Sequence, residues 1–378
     1  MIARNIVLFL LLLVLPYLYI DLRYFRQKKV WWKRLLLYVP CVAMGAYAIY
    51  LAMGRDFIPD NDHIFVLYAF LLLLGFIIIP LWTFILCSLI GKGCSKLVRK
   101  FKSPEQLLRP AKNYGNLAGI ASIPLIWGMV GWGSSFGFNK FEVNHIEYAS
   151  SELPKAFDGY KIVLFSDAHV GSYQQHNSDV LKNAIDSINA QNPDLIVFTG
   201  DLQNIQPSEL YPHREVLASL KAKDGVYSVL GNHDYADYLG CDEAVKAANC
   251  KEIISLQRQM GWTMLLNEHC TIKRDTASFI LAGMENDGDG KHFPQKGDIA
   301  KTLEGVPDGR AQLTLSGHTH AMQFNIFGWC PMSLSGKEFW GWYEEGRQKL
   351  FVTAGLGGLI PFRLGATGEI VVLTLKAK

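Results

Sequence analysis

From Phe65 to Ile90 the chain reads FVLYAFLLLLGFIIIPLWTFILCSLI, with no charged residue anywhere in the run. A hydrocarbon core takes about 20 helical residues to cross, and a helix that is apolar on every side needs an apolar environment on every side. Ile64 to Ile90 is therefore read as a membrane helix, and it constrains everything around it. Three further segments are long enough to join it: Ile2 to Ile20, Leu35 to Met53 and Leu117 to Phe138. The last contains Pro124 and several glycines, residues commoner in membrane helices than in soluble ones. The first starts like a signal peptide, with Arg4 as its charge, but no small-x-small cleavage site follows and more apolar segments come after. The expected organisation is an all-α transmembrane region of about four helices over residues 1–138 and a globular domain over residues 139–378.

Basic residues beside membrane spans favour the cytoplasmic side. The first loop carries Arg23, Arg26, Lys28, Lys29, Lys33 and Arg34, and the third carries Lys92, Lys96, Arg99, Lys100, Lys102, Arg109 and Lys112. The second, RDFIPDNDH, has one arginine against three aspartates. Loops one and three thus belong in the cytoplasm, which puts the globular domain on the extracytoplasmic side of the cytoplasmic membrane. The net charge is only +3, and the basic residues gather beside the apolar runs, so there is no nucleic-acid footprint. Of the seven cysteines, Cys241, Cys250, Cys270 and Cys330 lie in the globular part. An exported domain permits disulfides, with Cys241 and Cys250 the first pair to test, and free buried thiols fit equally well. No Cys-x-x-Cys is present, which argues against a cysteine zinc site.

In the globular part, short apolar runs end again and again at a glycine or aspartate. KIVLFSDAH, DLIVFTGD, VYSVLGNHD, QLTLSGHTH and LFVTAGLGG read as buried strands with sharp turns at their carboxyl ends. Stretches of helical period, SDVLKNAIDSINAQ and SELYPHREVLASLKAK, lie between some of them. A layered α/β domain follows, and ligands in such sheets collect at the carboxyl ends of the strands. Asp167, His169, Asp201, Asn232, His233, His318 and His320 all fall at such ends. Carboxylate, imidazole and amide oxygen together suit Mn, Fe, Zn or Co. Alone, D-x-H is explained by a capping aspartate beside a surface histidine, and G-D by an ordinary turn. Four motifs in order, each after an apolar strand, have no such explanation.

D-x-H, G-D, G-N-H and G-H-x-H in this sequence resemble the signature of the calcineurin-like metallophosphoesterase superfamily, over residues 150–378. The opening LPKAFDGYKIVLFSDAHVG is similar to its bacterial membrane-anchored branch. The resemblance implies a four-layer sandwich of helices on two mixed sheets around two divalent metal ions. It also implies hydrolysis of a phosphodiester, phosphomonoester or pyrophosphate, lipid-linked or from the cell envelope, by a metal-activated water. Asp167, His169, Asp201 and His320 would hold the first metal; Asp201 would bridge to a second, also held by Asn232 and His318. His233 would be the catalytic histidine, suited to acid work by an unperturbed pKa of about 6.5, and Asp234 would orient it.

One family feature is missing. The second metal normally receives another histidine from a strand between G-N-H and G-H-x-H, and between Asp234 and Gly317 only His269 and His292 occur, neither after a buried strand. Either could substitute, although a surface histidine is the simpler reading of both. The second site should be weaker than usual and the sheet a strand short. Asp287 and Asp289 lack EF-hand spacing and read as an acidic turn. Trp329, Phe339, Trp340, Trp342 and Tyr343 form either a lipid-facing lip or packing under a loop, and GLGGLIPFR lets backbone pass close to another segment. Besides a hydrolase, a catalytically silent metal-binding scaffold fits the missing histidine. A transporter with a regulatory domain fits less well, because the spans hold hardly any charge. The self-association state is not fixed by the sequence.

Overall fold

The computed structural model describes residues 2–26, 31–53, 64–101, 112–173, 178–288 and 292–378. They fall into two compact units divided between Trp132 and Gly133. The first unit contains helices α1 (Ile2–Ile20), α2 (Trp31–Met53), α3 (Ile64–Leu73), α4 (Ile79–Arg99) and α5 (Tyr114–Trp132). A wide turn, Leu74–Ile78, joins α3 to α4 without a break. Among the described residues, four helices are long and apolar enough to cross a membrane: Ile6–Phe25, Trp31–Met53, Ile64–Arg99 and Tyr114–Gly137. Each overlaps one of the four segments read from the sequence, the third running on past Ile90 to Arg99. The loop charges at Lys28, Lys29, residues 55–63, Lys102 and Arg109 lie outside the described residues.

Apolar side chains such as Val42, Phe65 and Leu117 face outward, as a hydrocarbon solvent requires. Small residues let the helices meet: a Cβ on Gly115 would lie 1.9 Å from the Cys87 carbonyl oxygen. Asp21 of the first span is paired with Arg34 of the second. Asp21 accepts two hydrogen bonds from Arg34, at 2.6 and 2.7 Å, and one from Tyr38.

The second unit is built on a six-stranded sheet of order β1-β11-β2-β3-β4-β5. Its strands are β1 (Phe141–Ser150), β2 (Lys161–Phe165), β3 (Leu195–Phe198), β4 (Val226–Ser228), β5 (Thr263–Met264) and β11 (Gly368–Ala377). All neighbours are parallel except β11 and β2. Alternation along each strand sorts its side chains between two cores. Val163, Phe165, Ile196, Phe198, Ile370 and Val372 face the helices α6 (Ser178–Ala190), α7 (Arg214–Ala218) and α8 (Glu243–Gln259). Ile162, Leu164, Leu195, Val197, Val371 and Leu373 face a second layer of strands. That layer comprises the hairpin β6 (Glu268–Arg274) and β7 (Ala277–Gly283), and a three-stranded ladder β8-β10-β9. The ladder's strands are β8 (Leu313–Ser316), β9 (Gly341–Glu345) and β10 (Gln348–Val352).

The expected α/β sandwich is thus present, with helices packed on mixed sheets. Its outermost layer is reduced to α9 (Ile299–Thr302), where the Thr302 carbonyl accepts from His269 of β6. Among the described residues no strand joins β7 to β8, and the second layer is split into two ladders at that point.

Trp342 packs edge-on against Phe351 at 5.1 Å, and Trp340 packs on the small cluster of Ala321, Ala354 and Ala366. The Tyr343 hydroxyl accepts the Phe339 and Trp340 N–H groups. These aromatics are packing, whereas Phe327, Leu334 and half of Trp329 are exposed. All seven cysteines are free, Cys241 and Cys250 included, which matches the free-thiol alternative of the two left open.

Candidate metal centre

Strands β2, β3 and β4 are parallel neighbours, so the residues that follow them emerge along one edge. Asp167 and His169 follow β2, Asp201 follows β3, and Asn232 and His233 follow β4. The loops are stitched to each other through backbone. Asp167 N–H donates to the Gly200 carbonyl at 2.9 Å and His169 N–H to the Asp201 carbonyl at 3.1 Å. His233 N–H donates to Asp201 Oδ1 at 2.8 Å. The loop after β8 joins from the second layer: His318 N–H lies 3.0 Å from both carboxylate oxygens of Asp167. This approach requires Gly317, where a Cβ would stand 2.0 Å from Ser166 Oγ and 2.3 Å from Asp167 Oδ2.

Asp167, His169, Asp201, His318 and His320 all have positive φ, between 45° and 80°. Non-glycine residues enter that region at a cost of about 1–2 kcal/mol each. Such strain persists only where the surroundings over-determine it, and its clustering here points to a functional site.

Ligand atoms of Asp167, His169 and His320 lie within 4.8 Å of one another, as do those of His169, Asp201 and His233. His169 is fully buried, and its Nδ1 is bonded to Asn204 Oδ1 at 3.1 Å. Its Nε2 is left buried with no hydrogen-bond partner, and so is Asn232 Oδ1. His320 Nε2 approaches Asp167 Oδ1 at 3.3 Å, while its Nδ1 meets the Gly357 carbonyl at 3.3 Å. Burial, then the neighbouring His233 and His320, hold His169 well below the usual histidine range. Burial, then the charges of Asp167 and Asp234, push the Asp201 carboxyl well above the usual range. The site therefore gathers buried imidazoles and crowded carboxylates, with His169 Nε2 and Asn232 Oδ1 left without a donor. Divalent cations fit such a donor set, since buried imidazole nitrogen, amide oxygen and carboxylate atoms without hydrogen-bond donors can serve as their ligands.

The profile of the calcineurin-like phosphoesterases matches residues 160–322. The metallophosphoesterase YkuE of Bacillus subtilis is 31% identical over an alignment of 274 residues that covers 65% of this chain and 91% of that protein. The chain is a calcineurin-like metallophosphoesterase. A transmembrane protein with a metallophosphoesterase domain from Danio rerio is 26% identical over 380 residues, covering 91% of this chain and 80% of its own. The UDP-2,3-diacylglucosamine pyrophosphatase LpxG of Chlamydia trachomatis is 26% identical over 315 residues, 64% of this chain and 91% of its own. The chain is thus a hydrolase of phosphate esters, in a family that uses divalent metals, and it carries helices suited to a membrane.

Within this metallophosphoesterase, the motif residues are not all placed as their spacing implied. Asp167, His169, Asp201, His233 and His320 are brought together. His318 is exposed, its ring edge-on to Phe293 at 5.3 Å, and it joins neither ligand group. Asp234 does not orient His233 as expected. Its carboxylate accepts the N–H groups of Gly231, Asp201, Leu202 and Gln203, which braces the two loops against each other. His233 is held instead by the Asn204 carbonyl, 2.6 Å from its Nδ1. Burial lowers His233 to about 4, below the unperturbed value of about 6.5 on which its expected acid role was based.

His269 is tied to Thr302 and His292 stacks on Tyr238, so neither joins a ligand group. Asp287 is an exposed residue bridged to Gln295, and Asp289 lies outside the described residues. Sequence reasoning missed Asn204, Glu209, Tyr238 and Arg363. Glu209 caps the loop after Asp201 by accepting the N–H groups of Asn204, Ile205 and Gln206. Arg363, from the glycine-rich GLGGLIPFR, is fully buried and donates to the carbonyls of Ala354, Gly355, Gly357 and Ala366. Only the four-motif order was visible in the sequence; these supports carry no spacing signal.

Proposed function

We propose that the chain hydrolyses a phosphate ester or pyrophosphate at a pair of divalent cations drawn from Mn, Fe, Zn and Co. The observation that carries this reading is the grouping of Asp167, His169 and His320, and of His169, Asp201 and His233, within 4.8 Å, with His169 Nε2 buried and unpartnered. Asp167, His169, Asp201 and His320 would hold the first cation, and Asp201, Asn232 and His318 the second. His318 would have to turn its ring inward to serve. Cations so held supply Lewis acidity and an attacking water of lowered pKa.

The chain's own residues do the positioning. Asn204 fixes two imidazoles at once, through its side chain on His169 and its carbonyl on His233. Both bonds occupy Nδ1, so each ring presents Nε2. His233 starts neutral and gains affinity for a proton when the negative charge of a bound phosphate faces it. It can then release that proton to the leaving oxygen. Four membrane-suited helices and the likeness to a pyrophosphatase of a diacylglucosamine nucleotide support a lipid-linked or envelope phosphate as substrate class. The loop charges support an extracytoplasmic catalytic domain.

The missing family histidine and the outward ring of His318 favour one rival, a metal-binding scaffold without turnover. Hydrolysis of an aryl phosphodiester by the full chain in detergent, with Mn added, separates the two. His233→Ala should lower kcat by roughly 10²–10⁴; equal rates in wild type and variant would identify the scaffold.

A further inference from the structure

Tyr238 touches both residues of the G-N-H motif that bear on chemistry. Its hydroxyl accepts the Asn232 Nδ2–H at 3.1 Å. Its ring lies on the His233 imidazole with centroids 4.2 Å apart and planes 12° apart. On its other face lies His292, at 4.6 Å and again 12°. Both ends of this three-ring stack are fixed to backbone: His233 Nδ1 meets the Asn204 carbonyl at 2.6 Å, and His292 Nδ1 meets the Asp237 carbonyl at 3.0 Å. The phenol therefore has little freedom to move.

The hydrogen bond matters because an amide has two ends of nearly the same shape and opposite polarity. Only the oxygen can face a cation. A side chain free to rotate would spend part of its time presenting N–H groups to the same point. Asn232 is 1% exposed, and its Oδ1 has no partner while its Nδ2 is held by Tyr238. Through this hydrogen bond the hydroxyl holds the amide in the orientation that leaves the oxygen free to serve as a ligand. This is how outer partners commonly tune a metal site.

We propose that Tyr238 is a positioning residue for the second cation, locking the Asn232 amide with its oxygen toward the ion while its ring braces His233. The inference rests on the dinuclear reading above. In a site that lacks the family's usual extra histidine, each remaining ligand of the second ion carries more of its affinity, so a device that orients Asn232 has a larger effect.

The test is Mn titration of the full chain in detergent, read by calorimetry and by the paramagnetic resonance of a spin-coupled Mn pair. Wild type should bind two ions, the second more weakly. Tyr238→Phe keeps the stack and removes the hydroxyl. The second ion's affinity should fall about 10- to 100-fold and the coupled signal fade at equal added Mn, with the first ion unchanged. Asn232→Asp supplies an oxygen at either end, so adding Tyr238→Phe to it should change nothing further. That double variant also controls for folding, because a merely structural tyrosine would weaken both backgrounds alike. Wild-type-like binding of the second ion by Tyr238→Phe, or an equal loss in the Asn232→Asp background, overturns the inference. A wild type that binds fewer than two ions overturns the dinuclear reading itself, and with it this one.

Discussion

Asp234, Glu209 and Arg363 are buried charges that bond backbone groups. Each holds a loop that would otherwise leave peptide groups unpaired in a dry interior. Asp194 does the same job at the edge of the sheet, accepting the Lys161 N–H at 2.8 Å and the Lys223 ammonium at 2.6 Å. Burial raises its pKa, but the Lys223 and Lys161 bonds more than offset that, and the carboxyl ends below its usual range. A depressed carboxylate contributes stability above its unfolded pKa, near 4, and loses it as pH falls through the lower folded value. Asp194→Asn should therefore cost on the order of 1 kcal/mol at neutral pH. The gap in thermal midpoint between variant and wild type should narrow once pH drops below about 4. A gap that stays constant at acid pH would assign the effect to packing. Residue roles of this kind were the least legible part of the sequence. Asp234 stands beside His233 in the chain, and adjacency suggested a partnership that the bond directions deny.

At the level of elements, the sequence showed most where strands stop. Asp167, Asp201, Asn232 and His318 follow β2, β3, β4 and β8 closely, and glycines there let loops pass at a distance no side chain permits. Gly200, at φ +97°, would put a Cβ 2.3 Å from the Gly231 nitrogen, and Gly231 would put one 2.2 Å from Asp201 Oδ1. Gly317→Ala should press on Asp167 and destabilise by about 1–3 kcal/mol. It should also weaken the first cation's binding in the same Mn titration; unaltered binding would mean the loop after β8 is not held against Asp167. β1 and β11 were not singled out from the sequence. β11 buries both faces, so EIVVLTL lacks the alternation that marks a half-exposed strand. The split between β7 and β8 was foreseeable, because a gap in the motif order implied a strand too few.

For the whole molecule, the four apolar segments were the plainest feature of the sequence, since an uninterrupted apolar run has few alternatives. Which side they deliver the catalytic unit to depends on loop charges alone. Lys273 is exposed on β6 and Cys94 is exposed near the third loop. A membrane-impermeant maleimide added to intact cells should label Lys273→Cys and spare Cys94, and the reverse pattern would put the catalytic unit in the cytoplasm. The central claim is that loops from two sheets converge on a pair of cations bridged by Asp201. Anomalous scattering from crystals of the full chain grown with Mn tests it most directly. Two peaks should appear, sharing Asp201, one beside Asp167, His169 and His320 and one beside Asn232. No peak at these residues, or Mn bound only elsewhere, would contradict the account.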